Sequence, residues 1–259
     1  MMRRVKRKLE IDPIDIFAGE RVRKIRLLKG MTQGELAKRI GVAFQQIQKY
    51  ESAANRISMS RLYLICKASG TTIPKFFTGI FYSRRGRTMK IMESAEAVEL
   101  TELFFKMSHG KRQRFYEAGH PLVKEGYRKG WANITGKHKG NPKSHPVDVY
   151  VGKRIWQFRI ITNMSRRQLS EKADVPQQQI QKYEEAINRV SVSRLYLICE
   201  ALEMSLPEFF GDLYRKRKKR RIMRMIESEE GMKLVRLFFK MPPSNRKHFI
   251  KLGKEFVEG

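Results

Sequence analysis

The seven residues Gln45-Gln46-Ile47-Gln48-Lys49-Tyr50-Glu51 occur twice in this chain, returning unchanged as Gln178 to Glu184 after a shift of 133 positions. Just downstream, Ser60-Arg61-Leu62-Tyr63-Leu64-Ile65-Cys66 returns as Ser193 to Cys199. Outward from these two blocks, roughly 30 of 67 positions agree between 13–79 and 146–212. With one residue of slippage the match reaches Leu103-Phe104-Phe105-Lys106-Met107 and Leu237-Phe238-Phe239-Lys240-Met241. The 259 residues are therefore one unit of about 115 residues written twice. The stretch between the copies, 126–144, is rich in Gly, Pro and Lys and reads as a flexible linker.

Inside each unit the apolar spacing is helical throughout, and no period-2 run is long enough for a strand. Val22, Ile25 and Leu28 are expected to form one stripe of a first helix. Thr32-Gln33-Gly34-Glu35 and Ser165-Arg166-Arg167-Gln168 both have the form of a capping box, which satisfies backbone N–H groups at a helix start. Each opens a short second helix, closed in the first copy by Gly41 and in the second by Asp174. A third helix runs from about Phe44 to Glu51, a fourth from Arg61 to Ala68 capped by Ser58 or Ser60, and a short fifth covers Ile73 to Phe77. Glu93–Met107 and Lys111–Val123 then make a helical hairpin, whose bend in the second copy falls at Pro242-Pro243. The expected fold is all-α: two five-helix domains, 13–80 and 146–213, with hairpins at 89–125 and 222–259 and a basic linker at 126–145.

Two short helices joined by three or four residues with a Gly at the turn have the layout of a helix-turn-helix. Leu36, Ala37, Ile40, Val42, Ile47 and Tyr50 point inward and fix the crossing. The face left over on the third helix carries Phe44, Gln45, Gln46, Gln48 and Lys49, and in the second copy Gln177, Gln178, Gln179 and Lys182. Gln can pair with adenine through two hydrogen bonds, Lys can reach guanine O6 and N7, and an aromatic can pack on a thymine methyl. A solvated face with incidental Gln is the competing reading. Its survival through a duplication in which neighbouring surface positions drifted argues against it.

Charge points the same way. Lys and Arg number 55 against 26 Asp and Glu, a net charge of +29, and both halves are basic. That balance suits a polyanion partner. The densest run, Arg215-Lys216-Arg217-Lys218-Lys219-Arg220-Arg221, has a counterpart in Arg84, Arg85 and Arg87. Such basic connectors serve either as solvated linkers or as phosphate contacts. The two cysteines, Cys66 and Cys199, are one buried helix position seen twice, not a disulfide framework. No stretch approaches 18 apolar residues, so no membrane partner is expected and a cytoplasmic, nucleoid-associated location is. The five histidines lack metal-ligand spacing, and Met89, Met92, Met223 and Met225 read as packing. No nucleophilic triad, P-loop or dinucleotide fingerprint is present. No metal, cofactor or enzymatic activity is expected.

The combined motifs resemble the Cro/phage-repressor (XRE) helix-turn-helix family, and most closely its alphaproteobacterial branch. The residues that carry the resemblance are Met31 to Ala37, Gly41-Val42, Phe44 to Glu51, Asn55-Arg56-Ile57-Ser58 and Ser60-Arg61-Leu62, with Val147-Asp148-Val149, Gly152 to Ile155, Gln177 to Glu184 and Asn188 to Ser191 in the second copy. The tail Gly231 to Leu237 is similar too. The resemblance implies lambda-repressor-like five-helix domains, sequence-specific binding of double-stranded operator DNA, and usually dimeric binding. It implies base readout by Phe44, Gln45 and Lys49, and by Gln177, Gln178 and Lys182. Phosphate contacts would come from Thr32 and Gln33, from Ser165, Arg166 and Arg167, and from Asn55, Arg56, Asn188 and Arg189.

The second copy departs from the pattern at Ala173, Asp174 and Pro176, where the first has Ile40, Gly41 and Ala43. Two other functions remain as alternatives: a low-specificity nucleoid-type protein, which the basic charge alone would serve, and an antitoxin-like regulator that uses this fold to bind a protein partner as well as DNA. Self-association through the hairpins, within one chain or between chains, is the expected use of the remaining helices.

Overall fold

The computed structural model describes residues 11–78, 94–123, 144–211, 224–226 and 228–258. The first copy folds as α1 (Pro13–Leu28), α2 (Gln33–Ile40), α3 (Phe44–Glu51), α4 (Met59–Ala68) and α5 (Ile73–Phe76). Its hairpin is α6 (Ala95–Lys106) and α7 (His109–Gly119), extended by one 3-10 turn. The second copy repeats the plan as α8 (Pro146–Ile161), α9 (Arg166–Ala173), α10 (Gln177–Glu184), α11 (Val192–Ala201) and α12 (Leu206–Phe209). Its hairpin is α13 (Glu229–Lys240) and α14 (Pro243–Glu258). No strand occurs among the described residues; one isolated antiparallel bridge joins Ser58 to Ser191.

Local chemistry accounts for the boundaries. Both capping boxes form, with Thr32 reciprocated by Glu35 and Ser165 by Gln168. Each leaves fewer orphan N–H groups at the helix start that faces solvent. Gly41 ends α2 in the left-handed region at φ 66°, and Asp174 ends α9 in the same conformation at φ 48°. Ser58 caps α4, which starts two residues before the expected position, and Ser191 does the same for α11. The inward set of the first copy is buried except Val42, which is partly covered. The expected first-helix stripe is corrected at its end: Val22 is buried and Ile25 half-buried, but Leu28 lies exposed. Its counterpart Ile161 is buried, because in the second copy a hairpin helix covers that end of the first helix and in the first copy none packs there comparably.

The two five-helix modules do not sit apart. α1 packs on α11, α4 on α8 and α5 on α12, each contact matched by its reciprocal across a pseudo-two-fold axis. Buried residues of both modules form one continuous core. The backbone closes the pairing at its centre, where Met59 N–H donates to Val190 O and Val192 N–H to Ile57 O, both at 2.9 Å. Packing, not tether length, sets the separation of the modules. The tether itself (126–143) and the basic connectors Arg84, Arg85, Arg87 and Arg215–Arg221 lie outside the described residues, as do Met89, Met92 and Met223.

The hairpins build a second core. α14 packs on α6 and α7, and α13 on α6, with Phe115 stacked on Phe249 at 4.4 Å between ring centres. Arg112 of the first copy pairs with Glu230 of the second at 3.0 Å. α13 also packs on α8, joining the hairpin core to the second module.

Candidate nucleic-acid interface

α3 and α10 are held from behind by Ile47 and Tyr50, and by Ile180 and Tyr183, all buried against α1, α2 and their counterparts. Gly19 and Gly152 let α1 and α8 approach these helices closely: a Cβ there would lie 2.4 Å from Tyr50 O and 2.3 Å from Tyr183 O. The opposite face is open. Phe44 is 52% exposed, Gln45, Gln48 and Lys49 are exposed and Gln46 is half-covered. Gln177, Gln178, Gln181 and Lys182 repeat that pattern, with Gln179 half-covered. Every readout candidate therefore stands on the outward side of its helix. Neither helix start carries a side-chain cap, so the first-turn N–H groups accompany the amide side chains on that side.

The residues expected to hold phosphate are more occupied. Gln33 donates its side-chain N–H to Glu51 at 2.8 Å, and Arg166 pairs with Glu184 at 2.7 Å. The same carboxylates receive buried arginines, Arg26 to Glu51 at 2.6 Å and Arg159 to Glu184 at 2.5 Å. Arg26 also donates to Met31 O and Arg159 to Met164 O, which ties the end of the first helix to the start of the second. Thr32 and Ser165 are used as caps, and Arg167 pairs along its own helix with Glu171 at 2.9 Å. Asn188 donates to Gln179 at 3.3 Å, and Asn55 lies 3.5 Å from Gln46 in the equivalent position.

Arg56 and Arg189 occupy the loops after α3 and α10, where the two modules meet. Each leans on the first-helix carboxylate of its own module, Arg56 on Asp15 at 3.2 Å and Arg189 on Asp148 at 3.7 Å. The serines of the opposite module lie beside those carboxylates, Ser193 beside Asp15 and Ser60 beside Asp148, and favour their charged forms. Burial pushes both carboxyls above the usual carboxylate range, and the serine hydroxyls and arginines oppose that shift without cancelling it. A cleft of about 520 Å³ beside this point is lined by Gln46, Arg56 and Arg61 of the first module and by Arg189 of the second. Cations of both modules thus converge at the pseudo-two-fold.

The sequence reading missed the Arg26–Glu51 and Arg159–Glu184 pairs and the Asp–Ser links between modules. The signal was available: Asp15, Arg26, Glu51 and Ser60 are all identical in the second copy at a shift of 133.

A short capped helix, a left-handed turn and a second helix with an open polar face define a helix-turn-helix, here present as a pair. The helix-turn-helix family model matches residues 22–76 and again 157–209. An uncharacterised helix-turn-helix transcriptional regulator of Rickettsia prowazekii is 45% identical over 104 residues, covering 40% of this chain and 80% of that protein. One from Sinorhizobium fredii is 35% identical over 133 residues, covering 46% of this chain and 93% of its own. A Rickettsia conorii regulator is 51% identical over 67 residues, and the chain spans about half its length, 54%. No solved structure matches. The chain belongs to the XRE-type helix-turn-helix family of DNA-binding transcriptional regulators, and its relatives come from alphaproteobacteria. Among the described residues, no helix is long and apolar enough to cross a membrane.

Proposed function

We propose that one chain acts as a ready-made pseudo-dimer that binds an imperfect inverted repeat in double-stranded DNA, regulating transcription by occupancy without catalysis. The observation that carries this reading is the reciprocal packing of α1 on α11 and α4 on α8 about one axis. Two reading helices related by such an axis present themselves to two half-sites as a homodimer's would, and operator symmetry mirrors protein symmetry. In this reading Gln45 and Lys49, with Gln178 and Lys182, read equivalent base pairs. Phe44 and Gln177 read the one place where the half-sites differ, an apolar contact suiting a thymine methyl and an amide suiting adenine. Arg56, Arg189 and the basic connectors supply phosphate contacts common to all sequences.

The test is selection of bound sequences from a random DNA pool, followed by the same selection with Phe44→Gln. The expected product is an inverted repeat mismatched at one position per half-site, made more symmetric by the substitution. A lone half-site from the natural protein would refute the pseudo-dimer reading, and a perfect palindrome would refute the asymmetry assigned to Phe44 and Gln177. Equal affinity for selected and random DNA would instead favour a nucleoid-type coating role.

A further inference from the structure

α13 lies between two cores. Its Met232 and Val235 enter the core of the module pair, while Leu234, Leu237 and Phe238 enter the hairpin core. Its seat on the module side is the C-terminal half of α8, where Trp156, Gln157, Ile160 and Ile161 are all buried. Arg236 of α13 closes the contact by donating to Asn163 Oδ1 at 3.1 Å.

The first copy holds both halves of this contact without joining them. Arg23, Lys24, Leu27 and Leu28 occupy on α1 the places of Trp156, Gln157, Ile160 and Ile161, and all four are exposed. Leu27 is 57% and Leu28 75% accessible, against 6% for each of Ile160 and Ile161. On α6, Val98, Thr101 and Glu102 occupy the places of Met232, Val235 and Arg236; Val98 is half-buried, Thr101 is already buried within the chain and Glu102 is exposed. α6 makes no packing with α1 comparable to that of α13 on α8. The exposed side chains that border the two faces are opposite in charge. Leu27 and Leu28 are bordered by Arg23 and Lys24 one turn back, and Val98 by Glu102 one turn on; Glu99, on the flank of α6, is paired to Lys254 at 3.0 Å.

We infer that α6 of one chain docks on the C-terminal half of α1 of a second copy, in the manner of α13 on α8. This goes beyond the DNA-reading proposal and does not rest on it. Each chain offers one face with an acidic border and one with a basic border, so the contact is heterologous, closing as a ring or running head to tail. One helix pair is a small interface, at the weak end of specific association. Chains held on neighbouring DNA sites would meet at raised effective concentration, and so fill those sites cooperatively.

The test is sedimentation velocity of the full chain without DNA over a concentration series. Physiological salt is used because it screens the +29 self-repulsion beyond about 8 Å. The sedimentation coefficient is expected to rise with concentration. Leu28→Glu, Glu102→Arg and Lys24→Glu should each weaken association by roughly tenfold or more while leaving circular dichroism and Tm unchanged, since all three positions are exposed. The decisive arm mixes the Glu102→Arg chain with the Lys24→Glu chain. Association should return, because the reversed α6 of one meets the reversed α1 of the other and the remaining faces are unaltered. A chain that stays monomeric throughout, association indifferent to all three substitutions, or a mixture no more associated than its components would each overturn the inference.

Discussion

Glu51 and Glu184 each collect one cation from the first helix of their module and one polar side chain from the second. Removing one partner of a buried ion pair strands the other, at a cost of about 3–5 kcal/mol. Glu184→Ala is therefore expected to lower the Tm sharply, leaving the buried Arg159 uncompensated. A variant with wild-type Tm would mean that Arg159 finds water. Asp148 obeys a different sign. Its raised pKa means the folded chain holds the proton more tightly than the unfolded one, so the ionised carboxylate weakens the fold above that pKa. The penalty fades as pH falls through the raised value. Asp148→Asn should thus raise the Tm at neutral pH, with the gain shrinking as the pH is lowered. A lowered Tm would show that the Arg189 pair outweighs burial. At the outward face, Gln45→Ala or Lys49→Ala is expected to cost roughly 1–3 kcal/mol of DNA binding and to relax preference at single base positions. Uniform weakening on all sequences, measured by competition, would reassign those residues from readout to affinity.

At the scale of elements, the two copies solve the same turns with different residues. Gly41 and Gly70 of the first copy have positive φ, and their counterparts Asp174 and Glu203 keep that conformation at φ 48° and 53°. A side chain in the left-handed region costs about 1–2 kcal/mol. Glu203→Gly and Asp174→Gly should each stabilise the second module by about 1 kcal/mol, read as a rise in denaturation midpoint. An unchanged midpoint would mean the side chains recover that cost through local contacts. Much of this level was legible beforehand. The limits of α3, both capping boxes and the buried set around Ile47 follow from spacing and cap chemistry, which act within a few residues. The fate of Leu28 was not legible, because its exposure depends on whether a hairpin helix covers the end of α1. Nor was the union of the modules, since reciprocal contacts such as Met59 N–H to Val190 O join residues more than a hundred positions apart.

For the whole molecule, the prediction is about salt. If binding neutralises six to ten phosphates, affinity should fall by about 10³–10⁵ between 50 and 200 mM salt. A nearly flat dependence would remove the basic surface from the account of binding. The shared core of the two modules carries a further consequence. Regulators that pair as separate subunits can trade partners with any close paralogue in the same cell, and every change at their junction is felt on both sides at once. Here the partner is written into the same chain. Mixed pairs are thereby disfavoured, and the two sides of the axis are released to diverge independently, so that one first helix could become a seat for the chain's own tail while the other kept its leucines facing outward.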